Sequence, residues 1–309
     1  MGKKNKIRII FYGTPYFAVP SLKALVEADY NVVGAVTAPD KKAGRGMKIQ
    51  MSDVKKAALE LDIPVFQPTN LKSDSFQEIL KELNPNIQIV IAFRMMPEKV
   101  WDFPPMGTFN LHGSLLPKYR GAAPIHHAII NGEKESGVTT FFLKHEIDTG
   151  NILMRASCVI EKTDTVGSVH DKLMLLGADL VVKTMDGILD ESIEEKEQEY
   201  TGNLPHAPKL SKEFCEINWK KAAIENYNFI RGLNPFPVAR TFLDGKILKI
   251  YFAEISDKKI SKSIEIIEDK LYIQCADVAL EITDLQLEGK KRMKAEDFLK
   301  GYGGELRLS

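Results

Sequence analysis

An amide and an imidazole stand two residues apart in Asn110-Leu111-His112. In an extended segment that spacing puts both side chains on one face. Gly113-Ser114-Leu115-Leu116-Pro117 follows, with Gly113 and Ser114 loosening the backbone into a turn and Pro117 closing it. After 137–143, whose composition predicts a β-strand, comes Asp148-Thr149-Gly150. An Asn, a His and an Asp delivered by strand ends can carry out acyl transfer without a covalent nucleophile. Asn110 can donate to an oxyanion, His112 can move protons near neutral pH, and Asp148 can orient the histidine or take up a proton. Each also has a plain alternative: Asn110 and His112 as a hydrogen-bonded strand-end pair, Asp148 as a turn-former ahead of Gly150. Their order and their place at strand ends favour chemistry.

The elements that must position them alternate. Residues 7–12 form a β-branched run that ends at Gly13-Thr14-Pro15. A helix is predicted over 20–26 with Pro20 in its first turn, a strand over 31–36, a helix over 52–61 and a short strand at Val65. A further helix covers 73–83, with Ser75 and Glu78 in a capping-box pattern, and the strand 87–92 is apolar enough to be buried on both faces. This alternation predicts an α/β fold with a doubly wound, mostly parallel sheet. Such sheets bind ligands beyond the carboxyl ends of their strands. Gly13-Thr14-Pro15, Ala92-Phe93-Arg94 and Asn110-Leu111-His112 all fall at such ends and are expected to meet in one cleft.

A long helix is expected over 166–188. Residues 194–210 lose periodicity and carry Gly202, Pro205 and Pro208, which predicts an interdomain linker. The domain boundaries expected are therefore 1–193, 194–210 and 211–309. In the last part, a helix over 222–233 leads to Asn234-Pro235-Phe236-Pro237. Short alternating runs at 238–242, 247–252, 263–267, 271–275 and 280–285 then predict a small β-barrel.

Composition narrows the partners. Lys and Arg number 42 and Asp and Glu 42, so the formal charge is zero and any nucleic-acid binding must rest on local patches. One such patch is the glycine-flanked loop 40–48, with Lys41, Lys42, Arg45 and Lys48. It is either a solvated surface loop or an arm that engages phosphates. Lys290-Lys291-Arg292 with Lys294 is a second basic cluster. No apolar run reaches the roughly 18 residues that a membrane helix needs. The basic start is too short and too strand-like for a signal peptide, and Lys6 sits where a myristoylation motif wants Ser or Thr. Cys158, Cys215 and Cys275 are odd in number and scattered, so a reducing cytoplasm is expected. His126, His127, His145, His170 and His206 lack matching company, and no metal site is predicted. Gly13-Thr14-Pro15 lacks the second and third glycines of a dinucleotide fingerprint, which weakens an oxidoreductase reading.

These residues resemble the methionyl-tRNA formyltransferase family. The matching text is Phe11-Tyr12-Gly13-Thr14-Pro15, Phe17-Ala18-Val19-Pro20, Pro39-Asp40, Ala43-Gly44-Arg45-Gly46 and the run from Asn110 to Pro117. It continues through Tyr119-Arg120-Gly121-Ala122-Ala123-Pro124-Ile125, Asn131-Gly132-Glu133, Asp148-Thr149-Gly150, Ala207-Pro208-Lys209-Leu210 and Asn234-Pro235-Phe236-Pro237. The resemblance implies a Rossmann-like formyltransferase domain followed by an OB-like barrel that binds tRNA, in a cytoplasmic monomer that needs no metal. It implies 10-formyltetrahydrofolate as formyl donor and the amino group of methionyl initiator tRNA as acceptor, giving N-formylmethionyl-tRNA for translation initiation. Asn110, His112 and Asp148 match the family's catalytic positions. Ser114, Leu115, Leu116 and Pro117 match the segment lining the folate site, with Phe93 and Arg94 beside the pterin pocket. Arg45, among Lys41, Lys42 and Lys48, matches the loop arginine that approaches the acceptor end of the tRNA. Two stretches depart from the pattern. Arg94 stands where a glycine is expected, and Lys144-His145-Glu146-Ile147 replaces more acidic, glycine-containing text. Rival readings are a formyltransferase with a sugar-nucleotide or glycinamide ribonucleotide acceptor, a noncatalytic RNA-binding protein, and the oxidoreductase.

Overall fold

The computed structural model describes residues 3–43, 48–199, 202–302 and 306–308. Two compact units are present. The first comprises Met1–Arg120, Gly137–Cys158 and His170–Pro205; the second comprises Gly121–Ser136, Val159–Val169 and His206–Ser309.

Nine strands precede the second unit's sheet: β1 (Arg8–Gly13), β2 (Asn31–Val36), β3 (Lys41–Ala43), β4 (Lys48–Gln50), β5 (Val65–Phe66), β6 (Ile87–Ile91), β7 (Thr108–His112), β8 (Glu135–Phe142) and β9 (Ile152–Val159). Seven of them form one sheet in the order β5-β2-β1-β6-β7-β8-β9, while β3 and β4 pair as a separate hairpin. Pairing is parallel from β5 through β7 and turns antiparallel between β7 and β8. The parallel strands are apolar on both faces because helices cover both. Ile9, Ile10, Phe11 and Tyr12 of β1 and Ile87, Ile89 and Ile91 of β6 are wholly buried. Gly13 ends β1 where the next turn comes close: a Cβ there would lie 2.8 Å from Ala18 Cβ and 3.2 Å from the Ile91 carbonyl oxygen.

Helices Val19–Glu27, Asp53–Glu60, Asp74–Leu83 and Val166–Leu189 fall where the alternation places them. The cap of the third is not the predicted one. Ser73, rather than Ser75, accepts from the Phe76 amide, and the Ser75 hydroxyl bonds only the Ser73 hydroxyl. Phe76 is the first residue this helix buries, so the cap must stand three positions before it. Gly177 lets the helix Val166–Leu189 lie against β7, since a Cβ would come within 2.6 Å of Leu111 Cδ2. Leu111 thereby occupies the helix-facing side of β7, and the strand's alternation turns Asn110 and His112 to the other.

In the second unit, β10 (Ala239–Leu243), β11 (Lys246–Ile255), β12 (Ile264–Ile267), β13 (Lys270–Gln274), β14 (Ala279–Leu287) and β15 (Met293–Lys294) form an all-antiparallel sheet. Its order is β10-β11-β14-β13-β12, with β15 on β14. Alternate residues Leu248, Ile250, Leu271, Ile273, Leu280 and Ile282 share one core with Ile230 and Leu233. A helix at Ala295–Gly301, outside the sequence-based expectations, adds Phe298 to that core. Among the described residues no helix is long and apolar enough to cross a membrane.

Candidate active site

Asn110 and His112 sit on β7 opposite Phe141 and Thr139 of β8. The chain then turns back on itself, held by Thr139. That hydroxyl donates to the Ser114 carbonyl at 2.7 Å and accepts from the Leu116 amide at 3.1 Å. Ser114 is 1% exposed, and its own hydroxyl donates to the Lys118 carbonyl at 2.7 Å. The loop ends at Tyr119, a left-handed residue at φ 60°. His112 Nε2 lies 2.9 Å from the Tyr119 carbonyl oxygen. A carbonyl only accepts, so Nε2 carries the hydrogen, and in the neutral ring Nδ1 keeps the lone pair. The bond that fixes this ring therefore comes from a backbone group with no side-chain signature in the sequence.

Nδ1 faces Asp148 Oδ2 at 3.9 Å, with the two side chains only 8% and 15% exposed. That distance suits an ion pair but not a direct hydrogen bond. Asp148 is itself left-handed, at φ 57°. Gly150 closes its turn against β8, where a Cβ would stand 1.5 Å from the Phe142 carbonyl oxygen, so only glycine fits. Asn110 is half-buried, and among the described residues its amide has no hydrogen-bond partner. The structure thus brings an uncommitted amide, an imidazole with a fixed tautomer and a carboxylate to one end of the sheet.

The other expected residues divide. Leu116 is buried with Ser114, whereas Leu115 and Pro117 keep partly exposed surface. Phe93 follows the left-handed Ala92 and packs edge-on to Tyr12, ring centroids 5.5 Å apart. Arg94 turns away along the surface and donates to the carbonyls of Pro68 and Thr69, tying the loop after β6 to the segment after β5.

Lys41 is exposed at the start of β3, and Lys42 and Lys48 belong to the β3–β4 ladder; Arg45 lies outside the described residues. The hairpin's base is braced by Lys55, whose Nζ lies 2.6 Å from Asp40 Oδ2 and 2.8 Å from Gln67 Oε1. The Lys55 hydrogen bond, with one from Gln67, holds the Asp40 carboxyl below its ordinary range. In the second unit the basic cluster is partly neutralised: Arg292 pairs with Asp284 at 2.7 Å and lies over the Tyr251 ring at 4.1 Å, and Lys294 reaches Asp284 at 3.7 Å. Of the two adjacent histidines, His126 Nε2 meets the Phe236 carbonyl and His127 Nε2 the Pro208 carbonyl. Among the described residues no three His, Cys, Asp or Glu side chains gather where they could hold a metal ion.

Fold and site together define a formyl-transferring transferase: residues 5–185 match the family described as Formyl transferase, and residues 209–303 its C-terminal domain. A Bacteroides thetaiotaomicron protein named Methionyl-tRNA formyltransferase is 47% identical over 312 residues, covering 97% of each chain. The chain belongs to the methionyl-tRNA formyltransferase family. Its fold also recurs in an N-formyltransferase from Helicobacter canadensis solved with folinic acid and dTDP-3-aminofucose. That match has a TM-score of 0.69 at 22% identity over 93% of this chain and 100% of that one. HypX from Aquifex aeolicus, in complex with tetrahydrofolic acid, matches with a TM-score of 0.65 at 16% identity over 98% of this chain. The chain spans about half the length of HypX, 50%.

Proposed function

We propose that this protein transfers the formyl group of 10-formyltetrahydrofolate to the amino group of methionyl initiator tRNA, giving N-formylmethionyl-tRNA for translation initiation. It acts as a cytoplasmic monomer. The observation that carries the reading is the convergence of Asn110, His112 and Asp148, with Nδ1 and Oδ2 3.9 Å apart. The 47% identity to a protein of that name supports the acceptor, and folate derivatives bound in fold neighbours support the donor class.

The residues fit a formyl donor. Asn110 offers a free N–H pair for the formyl oxygen, while Leu115, Pro117 and the half-buried Phe93 offer partly exposed surface for a flat ring system. Attack by the neutral methionyl amine forms the new N–C bond and a tetrahedral oxyanion. Asn110 donates to that oxyanion, a contribution of about 3 kcal/mol for one such donor. Asp148 takes up the amine proton, directly or through one water, and His112 shares it through Nδ1. The bond between the formyl carbon and the folate nitrogen then breaks, and the proton leaves on that nitrogen. No covalent enzyme intermediate forms, because the Ser114 hydroxyl is buried and committed to Lys118. A formylated Ser114 peptide in quenched reactions would overturn this point.

Substrate choice is tested by labelled formyl transfer to four acceptors: methionyl initiator tRNA, methionyl elongator tRNA, an amino-sugar nucleotide and glycinamide ribonucleotide. Transfer to the initiator alone is expected. Transfer to a small acceptor in its place refutes the tRNA reading and keeps the formyl chemistry. We also assign Lys41, Lys42, Arg45 and Lys48 to the tRNA phosphates. Arg45→Ala is expected to raise the KM for tRNA and to lower the salt dependence of binding by about one counterion, with donor binding unchanged.

A further inference from the structure

After the helix Val166–Leu189 the chain returns along β9 and crosses the two loops that carry His112 and Asp148. Lys196 and Ile152 exchange backbone hydrogen bonds in both directions, at 2.7 and 2.9 Å. Two residues on, Gln198 is 8% exposed within a run of glutamates. Its Nε2 donates to the carbonyls of Asp148, at 2.9 Å, and Gly150, at 2.8 Å. Its Oε1 accepts from Arg120, Nε at 3.1 Å and Nη2 at 2.7 Å. Further along, the Pro205 carbonyl accepts the Tyr119 amide at 2.7 Å.

The orientation of the Gln198 amide follows from its partners: carbonyls only accept and a guanidinium only donates, so nitrogen must face the turn and oxygen must face Arg120. The two carbonyls it binds flank Thr149. Holding both fixes the peptide planes on either side of the turn, and with them the direction in which Asp148 projects its carboxylate. A non-glycine residue at φ 57° is a sparsely populated state that persists only where its surroundings over-determine it. Arg120, in turn, directly follows Tyr119, whose carbonyl holds His112 Nε2. One buried amide therefore links the loop that orients the imidazole to the turn that presents the carboxylate.

We infer that Gln198 is a positioning residue for formyl transfer, setting the distance between Asp148 and His112, with Arg120 fixing its amide. This rests on the reading of Asn110, His112 and Asp148 as the reacting groups. Gln198 touches only main chain on the Asp148 side, so its effect runs through the placement of that carboxylate.

The test is a double-mutant cycle in single-turnover formyl transfer, with KM for both substrates and thermal stability measured alongside. Gln198→Met keeps length and bulk and removes both donors. It is expected to slow transfer on the order of 10²-fold, the scale of a misplaced reacting group, with KM values within about threefold of the parent. In an Asp148→Asn background the same change is expected to cost less than about threefold, since there is no carboxylate left to place. Gln198→Glu keeps the Arg120 contact and turns an acceptor toward two carbonyls; it is read in the same cycle should the Met variant fail to fold. A Gln198 variant at near-parental rate, beside a severely slowed Asp148→Asn, overturns this inference alone. Equal losses in both backgrounds overturn it as well, because Gln198 would then act by another route. A near-parental Asp148→Asn enzyme removes the reading on which the inference stands.

Discussion

Asp148→Asn isolates the charge at the site from its geometry. Asparagine tolerates the left-handed backbone that Asp148 adopts. The bonds from Gln198 go to main-chain carbonyls, so the turn survives the substitution. What disappears is one negative charge 3.9 Å from His112 Nδ1, between side chains 15% and 8% exposed. At an effective dielectric constant of about 20, two unit charges at that separation interact by about 4 kcal/mol. The whole amount enters the barrier only if positive charge on the ring or the amine develops on the way to the transition state. Converted, it corresponds to a rate loss of about 10³-fold. Losing the carboxylate as proton acceptor also slows the reaction, but the two losses share one group and do not multiply. The assay is rapid-quench single turnover with both substrates saturating, together with equilibrium binding of the folate donor. A fall of about 10³-fold in the transfer step with donor binding retained is expected. A rate within about tenfold of the parent, or a loss confined to KM, would refute the assignment of Asp148 as the charge partner.

Three further outcomes follow from the same geometry. Asn110→Ala is expected to cost about 10²- to 10³-fold in transfer rate while changing stability by less than about 0.5 kcal/mol, since the amide has no protein partner among the described residues. A matching loss of stability in denaturant melts would make Asn110 structural instead. Gly150→Ala forces its Cβ onto the Phe142 carbonyl and is expected to destabilise by about 1–3 kcal/mol and to displace Asp148, so an unchanged urea midpoint would sink the steric argument. In the second unit, burial pushes the His127 imidazole below its ordinary value, so the unfolded chain binds its proton more tightly than the folded one. Its contribution to stability is full above the unfolded value, about 6.5, and is lost as pH falls from there through the folded value. His127→Gln, whose Nε2 can still donate to the Pro208 carbonyl, is expected to flatten Tm against pH below that point; an identical slope in the variant would rule this out.

The parallel sheet was legible because a strand buried on both faces must be apolar throughout, and 7–12 and 87–92 are. Asn110 and His112 stood out because period-two geometry puts such a pair on one face whatever the partner strands. The cap at Ser73 was misplaced by two residues because a serine and a glutamate at the right spacing mimic a capping box, and only the burial of Phe76 decides between two serines. The helix at Ala295–Gly301 is seven residues long, too short to establish a period of its own. Gln198 was invisible for a different reason. It lies in an aperiodic, charged stretch, and its partners are carbonyls that every residue carries. The Tyr119 carbonyl that holds His112 is hidden in the same way.

That carbonyl bears on how the site distributes charge. With Nε2–H committed to Tyr119, the neutral ring turns a lone pair toward the Asp148 carboxylate. A carboxylate facing a lone pair gains nothing; facing an N–H it gains the charge-assisted interaction. The pair is therefore favourable only once a proton arrives between them, and in the proposed reaction that proton comes from the attacking amine. The negative charge formed at the same moment falls on the formyl oxygen, where the Asn110 amide has no competing protein bond to break among the described residues. Both charges that appear in the transfer step thus meet groups fixed before it, which is the condition under which a polar site lowers a barrier rather than merely binding its substrate.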